Sequence, residues 1–237
     1  MEGIGVFLIC FTCGFAAEWN MHGDLDFAGA VLANPFVLII AIFVGADISG
    51  AQYNPAVSVT LWWLRMQDTS KTIRYIIAQL IGSMMAGVTL LALKPGRFET
   101  TVTRANQLGH CALADDVSQL QGLWIEIIAT GLLTFCAFHT TVRKLSPFES
   151  ALTMAALVGC NNFAFAQSTG CCMNPARVFG PSVFSGRFFQ RGFWIYYLGD
   201  ILGGLAGGLL YVRVFSHREP SKCEEGQKEQ TQAIEMH

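Results

Sequence analysis

Apolar residues run with few charges through six stretches of this chain, at about 2–18, 28–46, 71–93, 122–142, 149–166 and 192–214. Each approaches the roughly 20 residues that an α-helix needs to cross a bilayer. Short polar links join them, except 94–121, which is polar and carries His110, Asp115 and Asp116. Two further apolar stretches, 56–64 and 176–185, are too short to cross, and each follows an Asn-Pro: Asn54-Pro55-Ala56 and Asn174-Pro175-Ala176. Asn caps a helix start by accepting a backbone N–H, and Pro suits the first helical position, where an N–H has no partner to lose. The pattern therefore predicts two half-helices that enter a membrane and stop. Irregular backbone at that depth is tolerated only where it is buried in protein or lines a wet cavity.

The two boxes share a lead-in. Ser49-Gly50-Ala51-Gln52-Tyr53-Asn54-Pro55-Ala56 and Thr169-Gly170-Cys171-Cys172-Met173-Asn174-Pro175-Ala176 match without a gap, each position 120 residues from its counterpart. Glu2 in the first span and Glu126 in the fourth stand in similar places. This is the mark of internal duplication, with a site at the repeat interface. Three spans per half is an odd number, so the halves insert in opposite directions and their half-helices meet near the midplane. The expected fold is an all-α membrane protein, with six transmembrane helices and two re-entrant half-helices in an inverted repeat. One channel-like domain covers 1–215 (repeat one about 1–93, repeat two about 122–215, linked by 94–121), and 216–237 reads as a disordered soluble tail.

Composition agrees: 52% hydrophobic and 14% charged residues, with mean hydropathy +0.43, exceed what a soluble domain carries. A net charge of −2 without a basic run leaves no footprint for nucleic acid. The eight cysteines are scattered, and Cys10 and Cys13 form a CxxC without a second pair, so they read as small buried apolar residues. No catalytic, metal or cofactor set is expected, and the chain does not read as an enzyme. Met1-Glu2-Gly3 leads straight into the first span without the basic region of a signal peptide, so either the helix begins at Met1 or a few native residues are missing. Nine Lys and Arg fall on the side of the C-terminal tail, among them Arg65, Lys71, Arg143 and Lys144, against five opposite, which places both termini in the cytosol.

Two helix N-termini facing each other at mid-bilayer each bring about half a positive charge. They repel a cation or an excess proton. Once their oxygens cap the backbone, the Asn54 and Asn174 amides offer N–H donors to a neutral solute. A coupled secondary transporter would share the repeat but needs titratable groups at mid-membrane, and Asp200 is the one loose candidate.

Over nearly its whole length the chain resembles the aquaporin (major intrinsic protein) family. The resemblance rests on Asp47 to Val57, on Gly170 to Pro181 with its Asn174-Pro175-Ala176-Arg177, and on Ile76-Ile77-Ala78-Gln79-Leu80-Ile81-Gly82. Aquaporins are the pores for which lumen donors and half-helix dipoles are a known recipe for selectivity. The resemblance implies a water pore in every subunit of a homotetramer, in the plasma membrane or an intracellular membrane. It gives Glu2 and Glu126 the task of accepting hydrogen bonds from the box loops. It puts Arg177 at the outer constriction, with Asn34, Asn162 and Cys171 as the other members by ungapped counting. Phe36, within a turn of Asn34, and Asn161, beside Asn162, are the alternatives.

The chain departs from the water-selective pattern, which has an aromatic and a His where Asn34 and Asn162 stand. Val178 after the box Arg, where glycerol channels carry Asp, and the pair Tyr196-Tyr197 point back to the water branch. Water is the expected cargo. A broader channel for glycerol, urea, ammonia or hydrogen peroxide, or a poorly conducting structural or adhesion member, are the alternatives. Cys171, or else Cys172, is the candidate for mercurial block. Asp200 stands where the family commonly has Pro, and Asp47 where it often has His, near the expected cytosolic entrance. Gly199, Gly203 and Gly207, with Gly204 and Gly208, have the spacing that lets helices approach closely.

Overall fold

The computed structural model describes residues 1–23, 25–93 and 108–215. The proposed tail, Lys94, Arg97 and Arg104 lie outside the described residues. Eight helices follow in order: α1 Glu2–His22, α2 Phe27–Ser49, α3 Pro55–Trp63, α4 Thr69–Leu93, α5 Gln119–Val142, α6 Pro147–Thr169, α7 Pro175–Phe184 and α8 Ile195–Phe215. Six are of spanning length, and α3 and α7 are the half-helices. Five of the spans extend up to about a turn beyond their apolar runs because capping residues close them, while α8 begins at Ile195 rather than at 192. Asp26 accepts from Gly29 N at the start of α2, and Ser118 with Gln121 and Ser146 with Glu149 form reciprocal capping boxes on α5 and α6. Five of the six pass as apolar spans by composition, while α6 carries Glu149, Asn161, Asn162 and Gln167.

The halves interlock. Half-helix α3 packs on α8 of the second half, and α7 packs on α4 of the first. Close approach is bought by glycine where helices cross: a Cβ on Gly82 would lie 2.0 Å from the Gly3 carbonyl oxygen, and one on Gly207 equally close to that of Gly131. The small residues of α8 thus seat it against α5, as their spacing predicts. Large apolar side chains including Ile40, Phe43, Ile77 and Ile81 face outward. In a soluble protein such a surface would be a liability, whereas lipid accepts it.

Candidate pore and constriction

Both box loops leave a helix through a left-handed glycine, Gly50 with φ 85° and Gly170 with φ 82°. They then alternate through positive φ at non-glycine residues: Ala51 (49°) and Tyr53 (50°) in one loop, Cys171 (45°) and Met173 (54°) in the other. Such backbone costs about 1–3 kcal/mol per residue unless its surroundings hold it. A buried glutamate does so in each half. Glu2 accepts from Ser49 Oγ (2.6 Å), Gln52 N (3.1 Å), Tyr53 N (2.6 Å) and Gln79 Nε2 (2.7 Å). Glu126 accepts from Thr169 Oγ1 (2.5 Å), Cys172 N (3.1 Å) and Met173 N (2.9 Å).

The boxes meet. Asn54 Oδ1 accepts from Ala56 N at 2.9 Å, and Asn174 Oδ1 from Ala176 N at 3.0 Å. Each amide then crosses to the other loop: Asn54 Nδ2 donates to Met173 O at 2.6 Å, and Asn174 Nδ2 to Tyr53 O at 2.8 Å. Pro55 and Pro175 occupy the first helical turns, and Ala56 and Ala176 are fully buried. The N-termini of α3 and α7 are thereby tied together. Each Nδ2 retains a second hydrogen for a solute.

A cavity of about 410 Å³ runs past this junction. At one end Asp47, Lys71 and Lys144 line it. Asn54 and Asn174 stand along it, and Asn34, Cys172 and Arg177 line its other end. Asn34 is buried while Phe36 points outward, 62% exposed, so the helix register favours Asn34. Asn162 is buried but is absent from the cavity wall, its Nδ2 donating to Val31 O on α2 at 3.2 Å. Its neighbour Asn161 donates to Ala129 O and to Met173 Sδ. Cys171, fully buried, is also absent from the wall, and Cys172 stands there instead. The alternating positive φ values turn successive loop residues in different directions, which is why counting along the chain left Cys171 and Cys172 as alternatives.

The expectation that the cysteines are all free buried thiols is corrected at two of them. Cys111, from the link before α5, is joined to Cys172 in a disulfide, while Cys10, Cys13, Cys136, Cys160 and Cys171 are free. Arg177 Nη1 donates to the sulfurs of both bridged residues, and its Nε has no partner among the described residues. Gln190 holds the link from beyond, its Nε2 donating to Cys111 O (2.7 Å) and its Oε1 meeting His110 Nε2 (3.0 Å). Val178 and Tyr196 pack with the bridged cysteines, and Tyr196 Oη donates to Thr169 O at 2.8 Å.

Residues that motif reading passed over complete the frame. Ser83 Oγ donates to Ala176 O and accepts from Gly180 N, pinning α7 to α4. Asp200 is fully buried beside Glu126, with Oδ1 accepting from Thr130 Oγ1 at 3.2 Å.

The sequence matches the profile of the major intrinsic protein family over residues 2–211. It is 35% identical to aquaporin TIP2-1 of Arabidopsis thaliana over 205 residues, covering 84% of this chain and 78% of that protein. It is 34% identical to human aquaporin-1 over 173 residues, covering 72% of this chain and 61% of the human protein. The fold is similar to that of the aquaglyceroporin from Plasmodium falciparum, with TM-score 0.77 at 22% identity, over 90% of this chain and 92% of that one. The chain belongs to the major intrinsic protein family. It is a multi-pass integral membrane protein of a family of channels, not of enzymes.

Proposed function

We propose that this protein is a passive channel for water and other small neutral solutes, and that it excludes ions and protons in two places. At the middle, the N-termini of α3 and α7 put two like partial charges beside the lumen, and Asn54 and Asn174 supply donors. At the far end, Arg177 repels cations and donates to the solute. The observation that carries the reading is the reciprocal bond pair Asn54 to Met173 O and Asn174 to Tyr53 O on the wall of the cavity. Asn34, on the cavity wall with Arg177, adds a polar group where an aromatic would narrow the passage, which favours some passage of glycerol or urea as a second reading.

The same reading takes the basic end as cytosolic. The disulfide lies at the opposite end, and disulfides persist in oxidising compartments, which supports that orientation independently of charge. The matched bonds of Glu2 and Glu126 support repeats at about 1–93 and 122–215. A homotetramer, each subunit with its own pore, suits the outward apolar faces of the spans.

Purified protein in liposomes, shrunk osmotically while light scattering is followed, tests the reading. Water-driven shrinkage well above that of empty liposomes, without proton leak, is expected. Shrinkage equal to that of empty liposomes would leave the protein a structural member of the fold. Arg177→Val is expected to keep water flux while raising glycerol and proton passage, and unchanged selectivity would remove Arg177 from its role.

A further inference from the structure

The cavity ends where Arg177 meets sulfur. Cys172 is the one cysteine among the residues lining the cavity, and its thiol is consumed by the bond to Cys111. The bridged sulfurs take the Arg177 Nη1 donor, so the guanidinium rests against a covalent wall on that side, with the free Cys13 thiol of α1 as a further sulfur neighbour. The link residues are fastened on three further sides. Cys111 O accepts from Gln190, Ala114 N donates to Ser168 O at 2.9 Å, and Arg191 donates to the carbonyls of Ala114 and Val117. A Cβ on Gly170 would lie 3.1 Å from Cys111 Cβ, so the link presses directly on the box loop.

From these contacts we propose that the Cys111–Cys172 bridge is a specificity-determining part of the constriction, holding Arg177 in place and masking the cavity's one thiol. The proposal rests on the reading of Arg177 as the constriction. Without the bridge, the two sulfurs beside Arg177 are no longer fixed to each other, the guanidinium can move with them, and larger solutes gain more than water does. Breaking the bridge by Cys111→Ala also leaves Cys172 as a free thiol facing the lumen. Mercuric chloride then reacts there: the thiol sulfur bonds to mercury, one chloride leaves, and the thiol proton goes to water. The bridged sulfurs of the unaltered protein have no thiol proton to give up, and the free cysteines among the described residues do not line the cavity.

The test uses full-length protein in liposomes, with peptide mass spectrometry under non-reducing conditions to detect the 111–172 cross-link. The unaltered protein should show the linked peptide and conduct water without sensitivity to mercuric chloride. Cys111→Ala should raise the glycerol-to-water permeability ratio by about fivefold, a modest change in barrier height, and should make flux mercury-sensitive. Cys111→Ala with Cys172→Ala should keep the raised ratio and lose the sensitivity. Should the single variant fail to insert, unaltered protein treated with dithiothreitol gives the same readout. The reagent is oxidised to its cyclic disulfide as the protein gains two thiols, and thiol alkylation verifies the reduction. An unchanged ratio once the bridge is broken, or mercury block of Cys111→Ala no greater than that of the unaltered protein, overturns the proposal. Absence of the linked peptide overturns it directly. Unaltered protein that conducts no faster than empty liposomes overturns the channel reading instead, and the linked peptide still reports on the bridge.

Discussion

The loop at 50–54 and the loop at 170–174 have nearly the same backbone and hang from matching glutamates, yet they are secured by different chemistry. In the first half, Gln52 is tied by hydrogen bonds, its Nε2 donating to Gln67 Oε1 at 2.6 Å and its Oε1 accepting from Ser58 Oγ at 2.7 Å. In the second half, Cys172 holds the matching position and is tied by a covalent bond to a link outside the repeat. Behind the glutamates the halves differ again. Gln79 on α4 donates an amide N–H to Glu2, whereas Asp200 on α8 sets a carboxyl beside Glu126, and its Oδ2 is buried without a partner among the described residues. A carboxyl can donate only when it keeps its proton, while an amide donates always. Elsewhere the halves agree: Tyr75 Oη donates to Ser49 O as Tyr196 Oη donates to Thr169 O. Geometry is thus common to the two loops, and the means of holding it are free to diverge as long as the buried donors of each loop are met.

The comparison can be broken first at its supports. Removing either carboxylate strands two loop N–H groups, at about 1–3 kcal/mol each. Glu2→Ala is expected to cost more than Glu126→Ala, because the second loop keeps its disulfide. Thermal unfolding in detergent measures both, and the reverse order would mean the bridge contributes nothing to that loop. Next, Gln79→Leu withdraws the side-chain donor from Glu2 and should cost about 1.5–3 kcal/mol, the range for hydrogen bonds to charged groups. Asp200→Leu should cost less, since that side chain gives up only the bond from Thr130 and its Oδ2 has no partner among the described residues to lose. Equal losses would make the two positions equivalent despite their chemistry. At the boxes, Asn54→Ala and Asn174→Ala each lose a cap worth about 1 kcal/mol, together with one crossing bond, and Asn174→Ala should cost slightly more because Asn174 Oδ1 also accepts from Arg177 N. A larger loss at Asn54 would show that this second cap bond contributes nothing. The smallest effect is expected from Asp200→Asn, which supplies an amide donor where Gln79 supplies one in the first half. A rise of a few degrees in Tm is expected, as one recovered hydrogen bond gives, and a fall would show that the acid itself is needed.

Much of the frame was legible before any coordinates. The half-helix starts at Pro55 and Pro175 came from local rules, since an Asn oxygen reaches only the N–H groups one turn ahead of it. Ungapped counting assigns Asn162 and Cys171 on the assumption that a matched position points the same way in every chain. In this chain Asn162 finds a carbonyl on α2, and the loop turns Cys172 rather than Cys171 to the cavity. Asp200 was visible as an odd charge in an apolar helix, but its neighbour Glu126 is 74 residues away and nothing in either stretch announces the other.

By itself, then, the sequence determined the six spans, the two capped half-helices and their inverted pairing. These depend on run length, capping chemistry and an odd number of crossings, all of which are local or countable. Only the tertiary structure decided which side chains face the cavity, that Cys111 meets Cys172, and that Asn54 and Asn174 each bond the other's loop. Those outcomes depend on distances between segments as far as 121 residues apart, such as Asn174 and Tyr53. Such distances are set by the packing of α3 on α8 and α7 on α4, not by any one stretch of chain.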